Sequence, residues 1–419
     1  MCSIIGWVGG VPTYWKNRAF KKAVQRGRDG IGVWADGQEL RTLEEFEPDE
    51  YLQVLQADKV VANFRAEPTT EAQSTVDNLQ PYGGIVHNGM IANDQDWGEM
   101  PIDSMVLPEI LENKNICPCE LKHLLTMIKG SYALAYFNDF ALVLACNYKP
   151  IYYKRFPSEQ GLAMLFGSTP EIVGKESTMI EPYTVNSFEI SSCEHVQEKL
   201  PRDQSNKVLV SASAGLDSTT VAYMLKEEGY EVTLAHFLYG CKAEQREVER
   251  IKQIAEHGGF DLEFLEMPKV LGGTIVEGEF HKNGVEGTEY AHDWVSARNL
   301  LMLSIMTAFA ETNGFGYIAF GGNLEEAGAY PDNEQEFGRQ FNRILPFATQ
   351  NGVKIELLQP LATYMKHEIV KIGERVGVPW ELTWSCYDDG EQHCGECAPC
   401  YMRKTAFSRN GIQDPVFNA

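Results

Sequence analysis

Four cysteines near the end of the chain have the spacing of metal ligands. The pattern C-x7-C-x2-C-x2-C places Cys386, Cys394, Cys397 and Cys400 in a segment rich in glycine and polar residues. Four thiolates fill a tetrahedral shell and leave no position for water, so the spacing predicts a structural Zn²⁺ site. An iron–sulfur cluster or a redox pair is the alternative, but no proline follows the last cysteine and no redox-fold pattern is visible. The adjacent His393 is expected to be a solvated loop residue rather than a ligand.

A second stretch could bind phosphate. Residues 213–219 read SAGLDST and lie between an apolar run and the start of a helical pattern. A tight turn of small residues after a strand presents backbone N–H groups and the positive end of a helix dipole to an anion. No lysine follows the glycine, so this is not the P-loop that ends in GK[ST]. A plain helix N-cap is the alternative.

Cys2 is a candidate nucleophile because it directly follows the initiator methionine. Removal of Met1 would leave a thiol and a free α-amine on one residue, and the amine, with a pKa of about 8, could accept the thiol proton. The position of Cys2 alone is weak evidence for a nucleophile. The hypothesis is supported mainly by polar motifs downstream: RGRDGIG at 26–32, Arg65 in NFRAEPTTE, His87-Asn88-Gly89 and Asp103-Ser104. A surface ion pair for Arg65 and Asp103, and a hairpin turn at Asn88-Gly89, are the alternatives.

Composition narrows the class of protein. The 419 residues include 36 Lys and Arg against 59 Asp and Glu, a net charge of −23 that disfavours nucleic acid as a partner. No apolar run reaches the roughly 18–20 residues that span a bilayer and no secretory signal opens the chain, so we expect no membrane association and a cytoplasmic location. Ten cysteines are too few for a disulfide scaffold, which suggests a reducing compartment.

The apolar patterns divide the chain near residues 190–206. Before this point, short β-branched runs at 3–8, 59–64, 84–87, 131–137 and 140–146 predict an α+β domain with much antiparallel sheet. Beyond it, strands at 207–213, 230–237, 261–266 and 316–320 alternate with helical patterns at 218–228, 244–257 and 294–312, which predicts a parallel sheet. We therefore predict domains at 2–193 and 207–419, joined by a polar linker at 194–206.

The first half resembles a known family. The motifs MCSIIG, RGRDGIG, NFRAEPT, HNG, IDS and KGSYALAYF occur in the order found in class II glutamine amidotransferase domains, which are N-terminal-nucleophile hydrolases. The resemblance covers residues 2–190 and implies stacked, largely antiparallel sheets. The cysteines of this half that match no motif are expected to be packing thiols: Cys117, Cys119, Cys146 and Cys193.

This resemblance implies a role for each motif residue. Cys2 attacks the side-chain amide of L-glutamine, releases ammonia and leaves a thioester that water hydrolyses. The Asn88 side chain and the Gly89 N–H hold the developing oxyanion. Arg65 pairs with the α-carboxylate of glutamine, where its planar guanidinium suits a carboxylate, and Asp103 holds the α-ammonium.

The second half is similar to the QueC family of 7-cyano-7-deazaguanine synthases. The similarity spans residues 206–412 and rests on SAGLDST, VSARN at 295–299, GAYPD at 328–332, the segment 360–366 and TWSCY with the cysteines that follow it. It implies an α/β adenine-nucleotide hydrolase-like domain with a parallel sheet and a zinc knuckle. Such a domain activates a substrate oxygen as an adenylate, and ammonia then displaces AMP.

The QueC resemblance also assigns residues. Pyrophosphate and its Mg²⁺ would be held by Ser213, Gly215, Leu216, Asp217 and Ser218. Lys366 would neutralise the leaving pyrophosphate, with a solvated helix-face lysine as the alternative. Arg298 and Asp332 would contact the substrate.

Three departures from the family pattern concern the substrate. The first glycine of the family's SGGxDS is Ala214 here, and the family's YGQRH reads YGCKA at 239–243. The Cys-Arg pair after Tyr-Pro-Asp is replaced by Asn333-Glu334, which reverses a charge. ATP use remains expected, while the exact substrate is left open.

Together these patterns predict a glutamine-dependent, ATP-using amidotransferase that acts on a small 7-deazaguanine base. Ammonia would be added to an adenylated 7-carboxy-7-deazaguanine, and a second adenylation would give the nitrile. Three alternatives stay open: amidination of the nitrile to a formamidine, an asparagine-synthetase-like reaction, and an RNA-binding or modification module. The expected partners are glutamine, ATP and the base, and a homo-oligomer is left open.

Overall fold

The computed structural model describes residues 2–66, 73–98, 100–111, 114–268, 272–273, 275–276, 279, 293–327 and 329–417. Residues 67–69 of the NFRAEPT motif and Gly328 of GAYPD lie outside this part of the chain. The chain divides into two compact units, Met1–Pro201 and Arg202–Ala419. No helix among the described residues has the length and apolar character needed to cross a bilayer.

The first unit is built mainly from strands. Its strands are β1 Ser3–Val8, β2 Ile31–Ala35, β3 Gln38–Thr42, β4 Lys59–Phe64, β5 Ile85–Ile91, β6 Gly130–Phe137, β7 Ala141–Cys146, β8 Tyr152–Arg155, β9 Met164–Gly167, β10 Thr178–Met179, β11 Thr184–Glu189 and β12 His195–Lys199. Its helices are α1 Thr13–Val24, α2 Pro48–Gln56, α3 Leu107–Ile110, α4 Pro118–Leu125 and α5 Pro170–Val173, with 3₁₀ turns at Val76–Asn78, Asp94–Asp96 and Asp103–Val106.

These strands form two stacked antiparallel sheets. One has the order β10-β8-β9-β1-β4-β2-β3 and the other β12-β11-β7-β6-β5. Ile4 and Val61 from the first sheet pack against Val86 and Leu144 from the second, and all four are at most 1% exposed. Helices α1 and α2 cover the outer face of the first sheet, and α3 and α4 that of the second. The four layers confirm the predicted α+β architecture with largely antiparallel sheets.

The second unit alternates strands and helices. Its strands are β13 Lys207–Ser211, β14 Glu231–Leu238, β15 Asp261–Glu266, β16 Tyr317–Ala319 and β17 Glu356–Leu358. Its helices are α6 Leu216–Glu227, α7 Glu244–Gly258, α8 Arg298–Asn313, α9 Leu324–Ala327, α10 Gln335–Ala348, α11 Lys366–Val376 and α12 Ala398–Arg409, with 3₁₀ turns at Pro331–Asn333 and Trp380–Leu382.

The five strands form a parallel sheet in the order β15-β14-β13-β16-β17. Val208 and Val210 face a core made with α6, α7, α11 and α12, and Leu209 faces the opposite core made with α8 and α10. The predicted parallel α/β domain is therefore confirmed. Since strand order reverses beside β13, a ligand crevice is expected at its carboxyl end, where the SAGLDST turn lies.

Two segments differ from the sequence-based expectation. The polar stretch predicted as a linker, 194–206, begins with strand β12, which pairs with β11 from Thr184↔Lys199 to Phe188↔His195. Four of its five residues are exposed, so this edge strand lacks the apolar alternation that marks a strand in a sequence. Helix α8 begins at Arg298 rather than at 294, because Ala297 has a left-handed φ of +51°.

Candidate functional site

Cys2 lies beside the end of strand β4. The backbone N–H of Ala66 donates to Cys2 Sγ at 3.4 Å. The Cys2 thiol also donates to the Ala66 carbonyl oxygen at 3.7 Å, so both polar groups of the Ala66 backbone position the side chain. The backbone around this contact is fixed because Arg65 N–H donates to the Gly30 carbonyl at 2.8 Å and Asp29 N–H donates to the Arg65 carbonyl at 3.0 Å.

Asn88 and Gly89 lie within strand β5, so they do not form the hairpin turn considered as an alternative. Asn88 Nδ2 donates to Ser168 Oγ at 3.5 Å, and the same hydroxyl accepts the Ile4 N–H at 2.9 Å. Asn88 is thereby joined to β1, the strand that follows Cys2. A Cβ at Gly89 would lie 1.9 Å from the Ser131 carbonyl oxygen, so only glycine fits at this position.

Arg65 is not a surface residue, and in the described part of the chain Asp103 makes no ion pair. Arg65 is only 4% exposed, and its Nε donates to Ser74 Oγ at 3.0 Å. The Asp103 carboxylate accepts the Ile91 N–H at 2.6 Å and the Ser104 hydroxyl at 2.9 Å. Both side chains are therefore held in place by the fold, as ligand-binding residues need to be.

His87 and Ser104, which the sequence placed in polar motifs without a role, form a buried polar chain behind Asp103 that was not predicted. Ser104 Oγ lies 2.8 Å from His87 Nδ1 and accepts from Gln80 Nε2 at 3.1 Å. Burial lowers the pKa of His87, while the nearby Asp103 opposes the shift. His87 directly precedes Asn88 on β5. Gln80 is the member of this chain that the sequence analysis did not name, because no motif surrounds it.

In the second unit, the SAGLDST turn joins β13 to α6 as an anion cradle. Ser213 N–H donates to Ser218 Oγ at 3.2 Å, and Gly215 N–H lies 3.4 Å from Ser213 Oγ. Gly215 is the N-cap of α6, so Leu216 and Asp217 lie in its first turn. Ala214 has a left-handed φ of +61°, the conformation that glycine adopts most readily. The turn therefore keeps the glycine-type backbone although the residue is alanine.

Lys366 joins this cradle to another element. Its Nζ lies 2.5 Å from Asp217 Oδ2 and 2.7 Å from Glu326 Oε1, and the lysine is only 7% exposed. A solvated helix-face lysine is thereby excluded. The sequence analysis missed Glu326, which follows β16 at the same carboxyl edge of the sheet.

The two carboxylates respond differently to this environment. Burial raises the pKa of Asp217 to about 6, although Lys366 opposes the shift. Burial also acts to raise the pKa of Glu326, but Lys366 together with Asn323 and Arg298 lowers it below its ordinary value. Asp217 Oδ1 is buried and has no hydrogen-bond partner among the described residues. An orphaned carboxylate oxygen beside a phosphate cradle fits a hard cation such as Mg²⁺.

A cavity of about 240 Å³ opens over this cradle. Besides the residues of the turn, its wall includes Tyr239, Glu247, Arg298, Asn333 and Tyr387. The predicted residue Arg298 lies at the start of α8, and its Nη1 donates to the Tyr239 hydroxyl at 3.5 Å.

The other substrate residue predicted from the sequence, Asp332, does not line the cavity. Burial raises the pKa of Asp332, and Arg298 opposes the shift. Asn333 contributes to the cavity wall, whereas Glu334 is exposed and caps α10. The charge reversal at Glu334 therefore lies outside the wall of this cavity.

The four C-terminal cysteines form one cluster. The Sγ atoms of Cys386, Cys394, Cys397 and Cys400 all lie within 4.8 Å of one another. Ligand sulfurs around a tetrahedral metal with bonds of about 2.3 Å are about 3.8 Å apart, so the cluster fits one metal ion. The Cys394 N–H donates to Cys386 Sγ at 3.3 Å and the Cys397 N–H to Cys394 Sγ at 3.4 Å, which stabilises negative sulfur.

The cysteine cluster is tied to the phosphate cradle. Trp384 N–H donates to the Ala214 carbonyl at 2.8 Å, two residues before Cys386. His393 is not the solvated loop residue expected from the sequence, since its Nε2 accepts the Ser385 N–H at 3.1 Å and its ring packs on Trp384 with centroids 4.2 Å apart. Burial lowers the pKa of His393 to about 4.

The other cysteines of the first unit differ in environment. Cys146 is buried, as expected of a packing thiol, and Cys193 is half-buried beside the same core. Cys117 and Cys119 differ from the expectation because they form a disulfide at the start of α4. This pair spans a single residue, a spacing that the sequence analysis did not consider.

Comparison with known proteins covers both units. Residues 207–411 match the family model described as queuosine biosynthesis protein QueC. The 7-cyano-7-deazaguanine synthase of Saccharolobus solfataricus is 42% identical, and the match covers 94% of this chain and 93% of the relative. The 7-cyano-7-deazaguanine synthase 2 of Sulfurisphaera tokodaii is 40% identical, with 99% of each chain covered. The predicted QueC resemblance is confirmed.

Shorter and more distant relatives also match. The 7-cyano-7-deazaguanine synthase of Methanothrix thermoacetophila is 39% identical, but its match takes 49% of this chain and 95% of the relative. Among solved structures, the glutamine phosphoribosylpyrophosphate amidotransferase from B. subtilis covers 96% of both chains at 12% identity and a TM-score of 0.38. A TM-score this low does not establish a shared fold or function.

Proposed function

Because the chain belongs to the 7-cyano-7-deazaguanine synthase family, we propose that it forms 7-cyano-7-deazaguanine from 7-carboxy-7-deazaguanine, using glutamine and ATP. The first unit releases ammonia from glutamine, and the second unit consumes it. The observation that carries the proposal is the cavity over the SAGLDST turn, where Lys366 lies between Asp217 and Glu326. This arrangement suits the departure of pyrophosphate from ATP.

Glutamine hydrolysis begins at Cys2. Its thiolate attacks the side-chain amide carbon, and the α-amine freed by removal of Met1 carries the thiol proton to the leaving ammonia. The Asn88 side chain and the Gly89 N–H stabilise the oxyanion, with a contribution of about 3 kcal/mol per donor. Arg65 and Asp103 hold the α-carboxylate and α-ammonium of glutamine. Water then hydrolyses the thioester and releases glutamate.

Two adenylations follow in the second unit. A carboxylate oxygen of the base attacks the α-phosphorus of ATP, and pyrophosphate leaves into the cradle formed by Ser213, Gly215, Leu216 and Ser218, where Lys366 neutralises its charge. Ammonia attacks the acyl carbon and AMP leaves, which gives the amide. Adenylation of the amide oxygen and loss of a second AMP give the nitrile, so each nitrile requires one ammonia and two ATP.

Metal ions fit two places in this scheme. Asp217 and Glu326 would hold Mg²⁺, which supplies charge neutralisation for the phosphates of ATP. The four cysteines would hold Zn²⁺ in a closed shell, where it stabilises the fold and takes no part in the chemistry.

Specific observations disfavour the alternatives. Amidination of a nitrile has no obvious need for ATP, whereas the cradle and its buried lysine are built for phosphate. An asparagine-synthetase-like reaction does not account for the cysteine cluster, and the net charge of −23 disfavours a polynucleotide.

Substitution of Cys2 tests the division of labour. Cys2→Ala is expected to abolish glutamine-dependent product formation and to retain the ammonium-dependent reaction, because only the ammonia source is lost. The measurement is AMP release with 7-carboxy-7-deazaguanine, ATP and either nitrogen source. Asp217→Asn is expected to abolish both reactions, because it impairs the phosphate site.

Cys193→Ser is the matched control, because Cys193 is a free, half-buried thiol of the same unit with no role in the scheme. It should retain both reactions. Failure of ammonium to rescue Cys2→Ala would contradict the proposed roles of the two units.

A further inference from the structure

Part of the cavity in the second unit is not used by the phosphate chemistry. Tyr239, Cys241, Glu247, Arg298 and Tyr387 line this part. It combines a carboxylate, a guanidinium and aromatic rings, which is the chemistry of a site for a planar, polar heterocycle.

Glu247 lies in this wall without a strong partner. Among the described residues its carboxylate makes no ion pair, and it accepts only from the Cys241 thiol, with Sγ 3.9 Å from Oε2. Glu244, on the same face of α7, is already engaged, because its Oε2 accepts the N–H groups of Tyr239 and Gly240 at 2.9 and 2.7 Å. Glu247 is therefore the acceptor that remains available to a ligand.

The electrostatics agree with this geometry. Burial raises the pKa of Glu247 to about 7, and Arg298 opposes the shift. A desolvated carboxylate gains free energy when a ligand brings N–H donors to it, since those donors replace the lost water. Two adjacent N–H donors suit it best, because its two oxygens can accept side by side.

Arg298 supplies the complementary charge. Its guanidinium lies in the same wall, and its hydrogen bond to the Tyr239 hydroxyl is long, at 3.5 Å. Burial disfavours its charge, but the pKa of Arg298 is nevertheless raised above its ordinary value, and a guanidinium stays protonated in proteins, so Arg298 remains a cation. A ligand that satisfies both residues carries adjacent N–H donors and an acidic group.

We infer that Glu247 accepts hydrogen bonds from the N1–H and the 2-amino group of a guanine-type base, and that Arg298 binds the carboxylate on that base. The inference rests on the proposed function and adds to it the residue that selects the 2-amino, 6-oxo pyrimidine ring. Glu247 would be a specificity residue, whereas the lysine and carboxylate cluster at the cradle serves any adenylation.

The test compares two substrates in the full-length protein. Wild type, Glu247→Gln and Glu249→Gln are given ATP and ammonium with either 7-carboxy-7-deazaguanine or the same acid without its 2-amino group, and kcat/KM for AMP release is measured. Glu249 is the control because it lies on the same helix with a side chain 49% exposed, paired with Arg246. Nucleotide binding by each variant shows that the phosphate end of the cavity is intact.

Wild type and Glu249→Gln are expected to prefer the 2-amino substrate by roughly 10- to 100-fold, the effect of a hydrogen bond to a charged group. Glu247→Gln should lose most of its activity on that substrate and discriminate only a few-fold. Equal losses on both substrates, or an unchanged preference, would overturn the inference and leave the proposed function intact. Turnover of neither acid by wild type would overturn both.

Discussion

Ala214 has the left-handed backbone conformation in the turn that forms the phosphate cradle. Its φ of +61° is unfavourable for an L-residue by about 1–2 kcal/mol, and its carbonyl accepts the Trp384 N–H. A larger side chain would not fit, because Ala214 is fully buried. The protein therefore keeps the smallest chiral residue at a position that favours glycine.

Replacement of this residue by glycine is expected to be tolerated. Ala214→Gly relieves the strained φ and adds unfolded-state entropy, so stability should be unchanged or higher by up to about 1 kcal/mol. Ala212→Gly, at a buried position without positive φ, should cost about 1 kcal/mol and lower Tm by about 2–4 °C. Thermal unfolding of both variants makes the comparison, and a larger loss for Ala214→Gly would contradict this account of the turn.

Some functional residues can be predicted from sequence motifs and others cannot. Cys2, Asn88 and Asp217 stand in ordered motifs, so their positions could be predicted. Glu326 and Glu247 could not, because the chain has 59 acidic residues and only the fold shows which of them face a cavity. The two carboxylates that pair with the buried Lys366 lie 149 and 40 residues away in the sequence, beyond any local pattern.

At the scale of elements, the cysteine cluster supports the cradle through the segment that carries Trp384. Cys397→Ser is expected to release the metal, lower Tm and weaken ATP binding, because the Trp384 contact with Ala214 depends on this segment. Zinc content, melting temperature and nucleotide affinity are the measurements. Cys193→Ser is the control, and unchanged zinc with normal melting for Cys397→Ser would contradict the structural role.

A buried ion pair fastens helix α12 to the end of the chain. Arg403 donates from Nε and Nη2 to the two oxygens of Asp414 at 2.8 and 3.0 Å and from Nη1 to Thr383 Oγ1 at 2.6 Å. Arg403 is 1% exposed and Asp414 is 6% exposed, so the pair is shielded from water.

Loss of this arginine should be costly. Arg403→Gln leaves a buried carboxylate without its cation and is expected to lower the free energy of unfolding by about 3–5 kcal/mol. Arg375→Gln removes the exposed pair with Glu227, whose side chains are 63% and 52% exposed, and should cost less than about 1 kcal/mol. Denaturant unfolding of the two variants measures both losses. Equal losses of unfolding free energy would show that burial does not determine how much an ion pair contributes to stability.

The sequence predicts the bounds of strands that have a strong apolar pattern, but not those of elements that lack one. Strands β1, β4 and β15 have the predicted bounds because each is a short run ended by turn residues. The edge strand β12 is polar on both faces, and the start of α8 depends on the left-handed φ of Ala297, which a sequence pattern does not encode. The four-residue difference at α8 places Arg298 in its first turn, beside the cavity.

For the whole molecule, two compact units of similar length match two linked reactions. The first unit has stacked antiparallel sheets and the second a parallel sheet, and we propose that the first releases ammonia from glutamine and the second uses it on an adenylated substrate. The net charge of −23 favours a free base over a polynucleotide as the substrate, because a phosphate backbone would be repelled.

Isotope tracing tests the central claim most directly. Glutamine labelled with ¹⁵N at its side-chain amide is supplied with ATP and 7-carboxy-7-deazaguanine, and the base is analysed by mass spectrometry. The account predicts 7-cyano-7-deazaguanine with one ¹⁵N in its nitrile and two AMP for each nitrile formed. A product without the label, or ATP-independent conversion of the 7-cyano base to a formamidine, would contradict it.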